Sequence, residues 1–141
     1  MKWSTLYGEW GKLLYAVANC DGSIHESEKD AFKQLINSEL VDVQQKDEFG
    51  MPVPSYMYAA FDYLEEEIVD SSDALESFFL FIDRHKESFT DEMIAKLIKS
   101  AENLSAAYYG INQSEQNLLQ ELRHKLTKFR QQHHLTKTTS S

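Results

Sequence analysis

Apolar residues recur at steps of three and four along most of this chain, and the interruptions between the runs are few. Trp3, Tyr7, Trp10, Leu14 and Val17 form the first stripe, which predicts a helix from a Ser4 N-cap to about Ala18. After Asp21-Gly22 the period resumes at Glu28, Ala31, Phe32, Leu35 and Ile36 and runs toward Leu40, with acids at its start where the helix dipole favours them. Residues 47–55 contain both prolines and a glycine, and read as the main internal loop. Met57, Ala60, Phe61, Leu64 and Ile68 mark a third helix ending near Val69, and Ser71 or Ser72 can cap a fourth. The fourth carries Leu75, Phe78, Phe79 and Ile82, widened by Leu80 and Phe81, and ends in Arg84-His85-Lys86. Thr90 opens a fifth helix, with Ile94, Leu97, Ile98, Ala101, Leu104 and Tyr108 as its stripe. A sixth follows Gly110, capped by Asn112-Gln-Ser-Glu115 and faced by Leu118, Leu119, Leu122, Leu126 and Phe129. No segment alternates with period two between hairpin turns, so the expected class is all-α, a bundle of about six helices. One domain should span 1–130, with 131–141 as a polar, disordered tail.

The break between the first two helices holds the densest chemistry, in Tyr15-Ala-Val-Ala-Asn-Cys-Asp-Gly-Ser-Ile-His-Glu-Ser-Glu28. A degraded copy recurs near the C-terminus. Aligning Ile24 with Ile111 also matches Val17 with Leu104, Ser27 with Ser114, Glu28 with Glu115, Ala31 with Leu118, Phe32 with Leu119 and Leu35 with Leu122. The pattern implies two pseudo-repeated helical hairpins, each covering the apolar face the other would expose, with the third and fourth helices inserted between them. The polar positions are not repeated equally: Asp21, Gly22 and Ser23 fall opposite Tyr108, Tyr109 and Gly110.

Asp21-Gly22-Ser23-Ile24-His25-Glu26-Ser27-Glu28 matches the second half of an EF-hand loop, but the first ligand position would be Val17, which has no donor atom. A different cation site remains open. Asp21, His25, Glu26 and Glu28 offer three carboxylates and an imidazole around a helix start, a donor set for a divalent metal ion. The competing reading makes Glu28 a cap for the helix N-terminus and leaves His25 merely exposed.

Charge narrows the partners. With 14 basic and 23 acidic side chains the net charge is −9, which argues against nucleic acid, whose phosphates need a basic face. The acidic run Glu65-Glu66-Glu67, with Asp70 and Asp73, is a candidate docking surface for a basic protein partner and otherwise a solvated face. A lone cysteine, Cys20, excludes an internal disulfide and reads as a small buried apolar residue. No stretch approaches the roughly 20 apolar residues of a membrane span, and the N-terminus lacks a signal peptide's apolar core, so cytoplasm is the default. His133-His134 adds a weak metal-scavenging pair in the tail. No nucleophile elbow or glycine-rich phosphate loop is present, so the chain reads as non-enzymatic.

Leu14 to Glu28 resembles the Ala-Asp-Gly-x-Ile-x-x-x-Glu hallmark of TerB-like tellurite-resistance proteins, whose domain also occurs in some membrane-anchored DnaJ-type co-chaperones. Ala106-Ala-Tyr-Tyr-Gly-Ile-Asn-Gln-Ser-Glu115 resembles the family's second copy of that motif. The resemblance implies a compact helical bundle in the bacterial cytoplasm, a role in stress response without catalysis, and action at the inner membrane surface, by peripheral association, or in metal-linked complexes. It assigns the cation or interaction site to Asp21, Glu28 and Glu115. Tyr108 stands where the second copy would carry its own Asp, so a symmetric site is not implied. On this basis the chain is expected to be an interaction module with a divalent-cation site at the Asp-Gly-x-Ile-x-x-x-Glu turn. The alternative keeps that motif purely structural and moves function to the acidic patch or an aromatic groove.

Overall fold

Six α-helices carry the fold: α1 (Trp3–Ala18), α2 (Glu26–Ile36), α3 (Pro54–Glu66), α4 (Ser71–Arg84), α5 (Asp91–Ser105) and α6 (Gln113–Thr139), with one 3-10 turn over Lys86–Ser88. The computed structural model describes residues 2–22, 24–36, 54–106 and 113–139, with the side chains of these except Trp3 and 130–139. Among the described residues there are no strands, and the helices form one all-α domain. The expected 47–53 loop, Asn112 and the Tyr108 to Ile111 motif segment lie outside the described residues.

The first helix is the axis of the bundle, packed against α3, α4, α5 and α6. Its periodicity suggested a helix with one apolar stripe, yet Leu13, Leu14, Tyr15, Ala16, Val17 and Ala18 are all buried, on every side of the helix. A continuous apolar end to the stripe is the signature of that central place. Gly11 allows the close approach of α3: a Cβ there would lie 2.6 Å from the Met57 carbonyl oxygen. Trp10 donates from Nε1 to Ser100 Oγ at 2.9 Å, and Ser100 in turn donates to the Leu97 carbonyl, so the one polar atom of a buried indole is satisfied across α1 and α5.

Aromatic contacts join the middle of α2 to α3, and α3 to this axis. Phe32 stacks on Phe61 at 4.3 Å between ring centroids, and Tyr15 meets the same Phe61 edge-on at 5.7 Å. Each such pair contributes about 0.5–1.5 kcal/mol beyond area burial.

Several element ends differ from expectation. α1 begins at Trp3, so Ser4 is inside the first turn and does not cap it. Pro54 is the first residue of α3 and not part of a loop, because a helix start needs no N–H from it. Asp70, ahead of Ser71, occupies the N-cap position of α4 without a side-chain capping bond. Thr90 caps as expected, accepting from Met93 N–H at 3.1 Å. α6 continues to Thr139, since nothing between Phe129 and that point is a glycine or proline. Leu80, expected to widen the α4 stripe, is 51% exposed, while Phe81 beside it is buried.

The largest departure is at the end of α3. The helix stops at Glu66, and the Ile68 N–H bonds the Glu65 carbonyl while the Val69 N–H bonds the Leu64 carbonyl. This pair of bonds is the Schellman arrangement, which requires a left-handed residue at the position of Ile68. Ile68 has φ 53 and is 84% exposed, where the periodicity had placed it in the core.

Candidate functional site

Three helix ends meet where the sequence places its motif. Cys20, just past the end of α1, is half-buried against the core, as is Ile24, the anchor of the turn. Gly22 turns the chain with φ +92, a conformation open to glycine at no steric cost. The backbone N–H of His25 then donates to Glu28 Oε1 at 3.1 Å, which makes Glu28 the third-residue half of a capping box for α2. The capping role read from the sequence is therefore present.

Glu115 occupies the same third position in α6, and it comes to the same place. Glu28 and Glu115 are each 2% exposed, in a core whose other buried polar groups are serines. Burial first, and then the negative charges of Glu28 and Asp21, together raise the Glu115 carboxyl to about 7. Burial also raises Glu28, against the opposing pull of the His25 N–H bond and the His25 imidazole, with Asp21 adding to the rise. The two helix N-termini oppose this rise. Each glutamate lies in the first turn of its helix, where the positive dipole end favours a carboxylate, and burial outweighs that in both.

Asp21 and His25 form the outer edge of this junction, with His25 Nε2 3.7 Å from Asp21 Oδ2. Cys20 closes it from α1. Burial, and then the charges of Glu115, Asp21 and Glu28, push its thiol up to about 12, so it stays protonated and a poor nucleophile near neutral pH. Cys20 thus joins the junction as a weakly polar wall, a role that its sequence position alone did not reveal.

Of the expected cation ligands, Asp21, His25 and Glu28 lie around one turn, and Glu115 joins them from α6. Glu26 is exposed, and its charge is felt by Lys29. Among the described residues no three His, Cys, Asp or Glu side chains are grouped closely enough to hold a metal ion. The acidic run is a separate feature. Glu65 is bound by Lys29 at 2.8 Å, an ion pair that links the first turn of α2 to α3, while Glu66, Glu67, Asp70 and Asp73 are exposed. The side chains of His133 and His134 lie outside the described residues.

Among the described residues no helix is long and apolar enough to cross a membrane. Comparison with family models, curated proteins and solved structures finds no match to this chain.

Proposed function

We propose that the chain is a non-enzymatic, TerB-like module of a bacterial stress response, related to tellurite resistance, that contacts a protein partner where its two motif copies meet. The observation that carries this reading is the burial of Glu28 and Glu115 in one junction. Turn building accounts for the Glu28 carboxylate that caps α2, but burying Glu115 within reach of its charge adds repulsion that a structural turn does not need. Asp21, exposed, and His25, half-buried, stand at the rim through which a partner would reach that pair.

A divalent cation is the second reading, favoured by the same pair, because a cation would relieve their repulsion. Among the described residues no three donor side chains are grouped closely enough to hold an ion, so one bound here would be held weakly and with much of its water. Calorimetric titration with calcium, zinc and manganese tests it on the native protein, Asp21→Ala and Glu28→Ala. Absence of heat above background ends the cation form.

The partner-contact form is tested by quantitative affinity capture from the native host, comparing the wild type, the Asp21→Ala/His25→Ala double variant and the Glu66→Lys/Glu67→Lys double variant. A protein lost with the first pair but retained with the second is the expected result. If no protein is lost with the first pair, the reading falls, whatever the second pair loses at the acidic face.

A further inference from the structure

The corner between α3 and α4 combines features that folding by itself disfavours. Ile68 is β-branched, sits at φ 53 and is 84% exposed. A left-handed conformation is strained for a β-branched residue, and glycine or asparagine usually fills this position of a helix end. A fold that needed only a turn would be more stable with either. Tyr63, one turn back on the outer face of α3, is 62% exposed. These are two of the three large hydrophobic side chains that are exposed among the described residues.

The corner is also held rigid from beneath. The Val69 carbonyl, immediately after Ile68, accepts from Tyr15 Oη and from Asn19 Nδ2 of the α1 end. Lys29 grips Glu65 from the α2 side. Such external bonds are what allow a strained residue to persist, and they hold the backbone beside Ile68 in place. Around it stand Asp62, Glu66, Glu67 and Asp70, all exposed, with no basic residue between Asp62 and Asp73.

We propose that this corner docks a basic amphipathic helix of a partner protein, with Ile68 and Tyr63 filling its apolar face and the surrounding carboxylates meeting its Lys and Arg side chains. Charge complementarity selects that occupant. Apolar anchors supply affinity at the centre of such contacts, whereas exposed charges at the rim steer approach and exclude other partners. Anionic lipid surfaces are repelled by the same carboxylates. The inference uses other residues than the Glu28 and Glu115 junction and does not depend on it.

The test uses the full chain and a fluorescein-labelled 18-residue peptide of leucine and lysine patterned as an amphipathic helix, followed by anisotropy at low and physiological salt. A peptide of the same composition in scrambled order, neutral and anionic vesicles, and sedimentation of the protein alone are measured beside it. The patterned peptide should bind, and Ile68→Gly, which relieves the backbone and keeps the fold, should weaken binding about tenfold. Glu66→Gln with Glu67→Gln should flatten the salt dependence. Undiminished binding by Ile68→Gly, equal binding of the scrambled peptide, or no binding at all overturns the proposal. Vesicle binding, or self-association abolished by Ile68→Gly, overturns it in favour of a membrane or a second copy of the chain.

Discussion

Glu115 shows how one side chain reports on its surroundings. Its carboxyl rises from the ordinary 4.5 to about 7, first through burial and then through Glu28 and Asp21. The native state therefore binds more protons than the unfolded chain between those two values, and stability falls as pH rises across them. The contribution is complete below pH 4.5 and lost above about 7. Each unit of difference corresponds to about 1.4 kcal/mol. Glu115→Gln should accordingly leave stability unchanged near pH 4 and raise it by on the order of 2 kcal/mol at pH 8, as read by urea unfolding at both pH values. Equal effects at the two values would mean that Glu115 is not held protonated by its neighbours. Glu28 shifts in the same direction, but the His25 N–H bond supports its ionised form and caps the helix, so Glu28→Ala, which removes that acceptor, should loosen the start of α2.

Among the elements, the packing of α1 on α3 leaves the least room. A Cβ at Gly11 would sit 2.6 Å from the Met57 carbonyl oxygen and 3.2 Å from Ala60 Cβ, and the first of these is backbone that cannot move aside alone. Alanine is the better helix former by about 1 kcal/mol, but overpacking costs about 1–3 kcal/mol or more, so the clash wins. Gly11→Ala is expected to lower the melting temperature, whereas Gly8→Ala, with nothing within 4 Å of its Cβ, should hold or raise it. Thermal unfolding of the pair followed by circular dichroism separates packing from propensity. If both variants behave alike, the close approach of the helices is not what Gly11 provides. Periodicity could not signal this. A glycine inside a helical stripe reads only as a small loss of propensity until the facing helix is known.

For the whole molecule, burial of the central helix makes its core the point of common failure. Leu14 is fully buried on α1, which packs against α3, α4, α5 and α6. Leu14→Ala should cost about 2–5 kcal/mol and keep a single transition, with circular dichroism and tryptophan fluorescence moving together in urea. Separate transitions would show that the hairpins unfold independently. That a helix sits at the centre was partly legible, since six apolar residues run unbroken from Leu13 to Ala18. Which helices surround it was not, because side-chain periodicity gives the width of an apolar face and says nothing of its neighbour.

Helix type, helix number and the approximate positions of the breaks follow from local chemistry: apolar residues at three and four residue steps, Thr90 as a cap, glycine at a turn. The sequence by itself also determined that Glu28 and Glu115 occupy equivalent places at two helix starts. Tertiary packing decided that these starts converge, which turns two ordinary capping carboxylates into a buried pair and closes Cys20 beside them. It likewise decided that α3 ends at Glu66, leaving Ile68 outside a stripe whose spacing it satisfies. The physical reason is the same in both cases. Periodicity is a property of neighbours along the chain, whereas burial, repulsion and backbone strain depend on atoms brought close from distant parts of it.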